Sequence, residues 1–495
     1  MSFASPFPPM PSGEQTAPAF PSSPASGAAQ PLGPGTMIPP PVSARTERSG
    51  RAGAAFGGRF FLFLLIGLVW LGPAWWDARF LAGMFLWDLL AVVFWAVDLR
   101  RLPDRGDMFV ARIWSAPAAL SVSTQVAIEV TQGRRSAVRV ELADTVPPAL
   151  RAVPPAFVLW CQPGVPARQT YDVAPVARGD LRLGGVHLRV QSRLGFAERW
   201  LAARLEQTVR VYPNLEEARR HTFYLLRSRQ SEMEKRRVRL RGYGREFESL
   251  REYHQGDELR DICWTASARR GSLVTRLHTI ERSQAVWIVM DAGRLLRARV
   301  MLAGQPAALE KLDFAATAAL TLSYIVLYSG DRIGLLAYGR QLQQRVNPAR
   351  GPRHQRALAD ALALVRSEPY EADHLLACET LLRAQKRRSL IVWITDLPET
   401  AAMPEVMEGA IRLMRRHLVL FVVLAQPDVA RVGAASPVSP GEMYRSMAAQ
   451  ELIQRRDVAM RTLHTQGALT VQVDSQNLAP ALLGKYLEIK ERSLV

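Results

Sequence analysis

Three kinds of hydrophobic spacing divide the chain. Phe60–Trp76, FFLFLLIGLVWLGPAWW, carries no charge, and after Asp77-Ala78-Arg79 the run Phe80–Val97 contains only Asp88. Each run has roughly the 17–20 residues that cross a bilayer core as a helix, which predicts a pair of transmembrane helices over residues 59–101. An aspartate inside a span is costly unless it faces the partner helix or sits near an end, so Asp88 is expected to serve packing or assembly. From Asp107 to about Pro213 the spacing shortens to alternating runs such as SVSTQVAIEV, SAVRVELAD, FVLWC, LRLGGVHLRVQS and QTVRVYP, broken by Pro and Gly. A period of two with frequent turn signals predicts a small β-sandwich domain over 102–213.

After residue 283 apolar strand-length runs alternate with longer helical ones. QAVWIVMDAGR, DRIGLLAYGR, RRSLIVWITDLPE and LVLFVVLAQP read as strands, and KLDFAATAALTLSYIVLYSG, RALADALALVRS and VMEGAIRLMRRH as helices. That alternation predicts an open, mainly parallel α/β sheet covered on both faces, over residues 284–495.

Residues 214–283 join these parts and are highly charged. Asn214–Arg241 reads as a connecting helix with a basic exit. The following stretch, SLREYHQGDELRDICWTASARRG, reads as a short helix. Gly256 suits a turn, Asp257 an N-cap, Glu258 and Asp261 the first turn, and Arg269 and Arg270 the last turn before Gly271. Leu259, Ile262, Cys263 and Ala266 form one apolar stripe, and Arg260 and Trp264, four apart, are placed to stack. The expectation is a clamp between sandwich and sheet domain, with Arg251, Tyr253, Asp257, Arg260, Asp261, Trp264 and Arg269 as domain-junction or partner-binding residues. SLVTRLHTIE then reads as a strand feeding the sheet.

Composition adjusts this picture at three points. A chain of 495 residues with 48% hydrophobic content can bury several cores, but residues 1–58, rich in Pro, Ala, Ser and Gly, are expected as a disordered tail. The net charge of +18 favours anionic surroundings, and the apolar runs select membrane lipids over any specific nucleic acid. Few aromatics interleave the arginines after Tyr224, as stacking on single strands would need. Arg51 and Arg59 precede the apolar pair and Arg100, Arg101 and Arg105 follow it. The positive-inside rule therefore places both termini and the soluble domains in the cytoplasm, in a multi-pass membrane protein. Three widely spaced cysteines, Cys161, Cys263 and Cys378, fit a reducing compartment.

The chain has no GxxxxGK[ST] loop, HExxH helix or GxSxG elbow, and its histidines are scattered. Asp291 and Asp396 each end a predicted strand, at the sheet edge where sites of open α/β folds gather. Two such carboxylates could hold Mg²⁺, orient loops or accept a partner's basic group. The alternation resembles a von Willebrand A-like domain, whose metal site uses an Asp-x-Ser-x-Ser turn. Here the turn reads Asp291-Ala292-Gly293-Arg294-Leu295, lacking both serines, with Arg294 a candidate to replace the cation's charge.

The ordered block Gly244-Arg245-Glu246-Phe247, Arg251-Glu252-Tyr253, Gly256-Asp257, Arg260-Asp261-Ile262, Trp264 and Ala268-Arg269 resembles the signature of domain-of-unknown-function family fifty-eight. The two-span hairpin, the RGDLRLGG turn, the VYPN segment at 211–214 and the von Willebrand A-like end follow the arrangement of that family. Its members are commonly associated with MoxR-type AAA+ ATPases. The resemblance implies a non-enzymatic, membrane-anchored adaptor or scaffold without a cofactor, partnered by such an ATPase. The alternative is a metal-dependent hydrolase or phosphoryl-transfer enzyme using Asp291, Asp396 and Mg²⁺.

Overall fold

The computed structural model describes residues 37–49, 53–220, 241–254, 259, 262–279, 284–301, 308–396, 404–425 and 427–492. Its first folded part is antiparallel. The strands are β1 (Val42–Arg48), β2 (Ala54–Phe56), β3 (Met108–Trp114), β4 (Thr124–Gln132), β5 (Val138–Asp144), β6 (Ala156–Cys161), β7 (Ala167–Val173), β8 (Gly179–Leu183), β9 (Val186–Gln191), β10 (Ala197–Ala203) and β11 (Gln207–Val211). Nine of them form one sheet in the order β6-β5-β9-β10-β1-β3-β4-β7, with β2 on β10, while β8 and β11 pair separately. In β5, Val138, Val140 and Leu142 point inward while Arg139, Glu141 and Ala143 point out. The inward rows of both halves of the sheet meet in a single core.

A fully buried ion pair crosses that core. Arg112 Nε lies 3.1 Å from Asp144 Oδ2, its Nη1 donates to Leu205 O at 2.8 Å, and Tyr171 Oη donates to Asp144 Oδ2 at 2.6 Å. Each charge is hydrogen-bonded beyond its partner, the condition under which a buried pair is tolerated.

The boundary expected at residue 58 moves. β1 lies between β10 and β3, with Thr46 opposite Ala203 and Ala44 opposite Val110, and β2 pairs with β10. The Pro-Ala-Ser bias of the first forty residues hid a period-two stretch, VSARTER, whose inward residues are small.

Two antiparallel helical segments follow β2: α1 (Gly58–Gly67), continued by the 3₁₀ turn Leu68–Trp70 and α2 (Leu71–Ala74), and then α3 (Arg79–Arg101). The Trp87 ring stacks on Phe63 with centroids 4.4 Å apart, and its Nε1 donates to Phe63 O at 2.8 Å. Gly67 permits this approach: a Cβ there would lie 2.7 Å from Trp87 and 3.2 Å from Asp88 Oδ1. Asp88 therefore faces the first helix. Leu65, Val69, Phe85 and Leu86 point outward, and only 6% of the most apolar window of α3 is buried.

The segment 214–283 differs from expectation. β12 (Arg241–Glu252) and β13 (Val274–Thr279) form a two-stranded antiparallel sheet of their own, so SLVTRLHTIE does not feed the large sheet. Between them α4 (Trp264–Arg270) starts after Cys263 with no side-chain cap and ends at Gly271, whose φ of +70° suits glycine. The expected cap at Asp257, with Arg260 and Asp261, lies outside the described residues.

The last part contains β14 (Ala285–Asp291), β15 (Arg299–Val300), β16 (Leu309–Glu310), α5 (Lys311–Tyr328), β17 (Arg332–Tyr338), β18 (Leu342–Ala349), α6 (Pro352–Leu364), α7 (His374–Ala384), β19 (Leu390–Thr395), α8 (Pro404–Met414), β20 (Leu418–Leu424), α9 (Pro427–Ala434), α10 (Pro440–Thr465), β21 (Leu469–Val473) and α11 (Leu478–Glu491). The sheet order is β18-β17-β14-β19-β20-β21, parallel throughout except for β18. Val286, Ile288 and Met290 of β14 enter the core under α5 and α11, and Trp287 and Val289 enter the core under α7 and α8. This is the open α/β architecture expected from the alternation. α5 is apolar enough for a membrane span, yet 78% of its window is buried against the sheet, which makes it a core helix.

Candidate functional site

The strand order reverses at β14, because β17 lies on one side of it and β19 on the other. At such a point the carboxyl ends of the two strands border a crevice. Asp291 closes β14 and Asp396 follows β19, so the two predicted residues do meet at one edge. Both are buried.

Each carboxylate is already engaged. Asp291 Oδ1 accepts from Gly293 N at 2.7 Å and Oδ2 accepts from Thr395 Oγ1 at 2.7 Å. Asp396 Oδ2 accepts from Lys311 Nζ at 3.0 Å, an ion pair with almost no exposure on either side. Lys311 opens α5, at the positive end of its dipole, where a cation is ordinarily disfavoured. Its place there is explained by the carboxylate it meets. The countercharge thus comes from Lys311 and not from Arg294, whose half-exposed guanidinium lies 3.3 Å from Glu371 on the neighbouring loop.

Burial raises the pKa of Asp291, with Asp396 adding to the rise, while His374 and the two hydrogen bonds oppose it. Beneath it a buried polar chain runs from Trp393 Nε1 to Tyr338 Oη (2.8 Å) and on to His374 Nδ1 (2.7 Å). Burial also lowers the pKa of His374 and raises that of Tyr338 well above its ordinary range. The Cys378 thiol is pushed up to about 12 by burial and is inert as a nucleophile.

A divalent cation does not fit this donor set. The turn that would supply serine oxygens has Gly293, and any Cβ there would lie 2.8 Å from Ala372 N. The loop after α6 packs directly onto that turn, with Arg294 N donating to Tyr370 O and Glu368 N to Ala292 O, each at 2.8 Å. Among the described residues no group of three or more His, Cys, Asp and Glu side chains is arranged to hold a metal. What remains is a buried cluster in which each carboxylate has a partner within the protein.

Of the residues expected to clamp the domains, Arg251, Tyr253, Trp264 and Arg269 are among the described residues. Trp264 is 65% exposed, Arg269 is exposed, and Arg251 Nη1 lies 2.8 Å from His254 Nδ1 beside the half-buried Tyr253. Leu259, expected in a buried stripe, is exposed. The described contacts between the β domain and the α/β domain run elsewhere. Arg178 Nε meets Asp313 Oδ1 at 2.6 Å and its Nη1 donates to Leu362 O at 2.7 Å. Asp360 Oδ1 takes Arg210 Nη1 at 3.2 Å and Tyr212 Oη at 3.0 Å. Tyr212, Leu215 and Ala218 are built into the α/β core.

Residues 249–455, which include this edge and α4, match the model of the family described as protein of unknown function DUF58. This part of the chain is similar to the DUF58 family. Uncharacterized proteins of Mycobacterium tuberculosis and Mycobacterium bovis are 28% identical to the chain over 259 residues, covering 48% of it and 78% of the relative. Among solved structures, the SpRpn10 VWA domain matches with a TM-score of 0.24 and 14% identity, covering 41% of this chain and 94% of that one. The conserved hypothetical protein BatB from Bacteroides thetaiotaomicron matches with a TM-score of 0.25 and 14% identity, covering 43% and 100%. At these scores the likeness carries no weight, and the architecture of the α/β domain rests on its own strand order.

Proposed function

We propose that this protein is a non-enzymatic adaptor or scaffold anchored in the bacterial inner membrane. The helical pair α1–α3 serves as the transmembrane hairpin, and the β-sandwich and von Willebrand A-like domain follow it on the cytoplasmic side. The partner presented to that domain is a MoxR-type AAA+ ATPase together with its clients, the class implied by the family resemblance. The observation that carries the non-enzymatic reading is the Lys311–Asp396 pair. It spends one strand-end carboxylate on an internal ammonium, while Asp291 is spent on Thr395 and its own turn. A hydrolase or phosphoryl-transfer enzyme would need those groups free to bind a metal or move a proton. The outward apolar rows of α1 and α3 support the anchor, since water would leave them without a solvent of matching polarity.

The test is affinity purification of the full chain from solubilised membranes under nucleotide-trapping conditions. An AAA+ ATPase is expected among the retained proteins. Its consistent absence with the intact chain sinks the adaptor reading.

A further inference from the structure

The β domain is not strung from the helices by a linker. Its β9–β10 turn, Ser192–Phe196, is fastened between them. Asp98 near the end of α3 is buried, and its Oδ2 accepts from Ser192 Oγ at 2.6 Å, Ala197 N at 3.0 Å and Phe196 N at 3.1 Å. From the other helix, Arg59 Nη1 donates to Leu194 O at 3.2 Å, and Gly57 N donates to Phe196 O at 2.7 Å. Gly57 can carry no side chain, because a Cβ would lie 2.1 Å from Gly195 O.

The turn also reaches the level of the apolar spans. The Phe196 ring sits 5.7 Å from Phe63 and 5.8 Å from Phe94. Phe63 is four residues beyond Arg59 and Phe94 four before Asp98, about 6 Å along each helix at 1.5 Å per residue. At the tip, Arg193 and the apolar Leu194 both face outward. Arg101 and Arg105 are exposed on the same flank, whereas nearby acids are engaged: Asp98 with the turn, and Asp104 with Arg48 and Arg199. An apolar tip with basic neighbours suits the headgroup zone of an anionic leaflet, where each basic residue gains from the surface potential.

We infer that the β9–β10 turn is a third lipid-contacting element, seated in the anionic headgroup region beside the two helices. This rests on the proposed membrane anchor, and the experiment separates the two. Leu194→Cys and, as a mid-span reference, Val69→Cys are labelled with an environment-sensitive fluorophore in the full chain. The three native cysteines are buried and remain unlabelled. The protein is reconstituted into phosphatidylcholine vesicles with or without phosphatidylglycerol.

The position-194 probe is expected to shift to the blue and lose fluorescence to lipid spin-labelled near the headgroup. The position-69 probe is expected to lose it to lipid labelled deep in the chain. Quenching at 194 should fall when phosphatidylglycerol is omitted or when Arg193→Glu is added. If 69 is quenched by deep lipid but 194 only by aqueous iodide, the inference is overturned and the anchor stands. If lipid quenches neither, the anchor fails and takes the inference with it. Quenching at 194 that ignores both phosphatidylglycerol and Arg193→Glu overturns the anionic-headgroup assignment.

Discussion

Replacing Lys311 by Met keeps a long side chain at the head of α5 and removes the ammonium, with its charge and its N–H donors. Its Nζ lies 3.0 Å from Asp396 Oδ2, and both side chains are almost inaccessible to water. A buried carboxylate deprived of its countercharge costs about 3–5 kcal/mol. Since about 1.4 kcal/mol is a tenfold change in an equilibrium constant, amides that exchange only when the α/β domain opens should exchange about 10²- to 10⁴-fold faster. Hydrogen exchange on the full chain in detergent reads this in peptides covering β14 and β19. Lys311→Met/Asp396→Asn removes both charges and should recover most of the protection, giving a large coupling in the double-mutant cycle. Arg294→Ala is the control: its exposed pair with Glu371 should contribute no more than about 1 kcal/mol. Two results would refute the reasoning: a change below tenfold for Lys311→Met, or a double variant no better protected than the single one.

Two further outcomes are expected. Trp264→Ala should change thermal stability by only about 0.5 kcal/mol, because the indole is mostly in solvent; a loss above about 2 kcal/mol would restore the clamp reading, and lost ATPase retention at unchanged stability would mark a docking residue. His374 has a folded pKa below its usual 6.5, so as pH falls the unfolded chain binds the proton first. Its contribution to stability is complete above about pH 6.5 and is lost as pH falls through the folded value. Denaturation midpoints of His374→Gln should therefore fall less steeply than wild type between about pH 7 and 5.

What could be read from the sequence followed the strength of local periodicity. LIVWIT and LVLFVVL are buried on both faces and announce parallel strands, and the carboxylates ending two such strands were legible as one edge. Lys311 was not, because its partner lies 85 residues away and only the tertiary fold joins them. One local sign existed: a lysine opening an apolar helix at its positive end asks for a carboxylate nearby. β18, LQQRVNPA, was missed because its outward residues are polar and Pro348 argues against a strand; as the antiparallel edge strand it tolerates both. The arginines of the described junction were hidden for a related reason. Charge density in a segment says that water or a partner is near, and the described junction instead uses single arginines, Arg178 and Arg210, set in otherwise ordinary strands and turns.

The burial of α5 also fixes a matter of counting. Hydropathy alone treats Lys311–Tyr328 as a crossing equivalent to Arg79–Arg101. One extra crossing inverts parity, which would send everything after Tyr328 to the opposite face of the bilayer. With α5 clasped in the sheet and Asp313 bonded to Arg178 of the β domain, that inversion is forbidden. Since no other helix after α3 among the described residues is long and apolar enough to cross, a reporter fused beyond Val495 is expected on the same side as one inserted in the β domain.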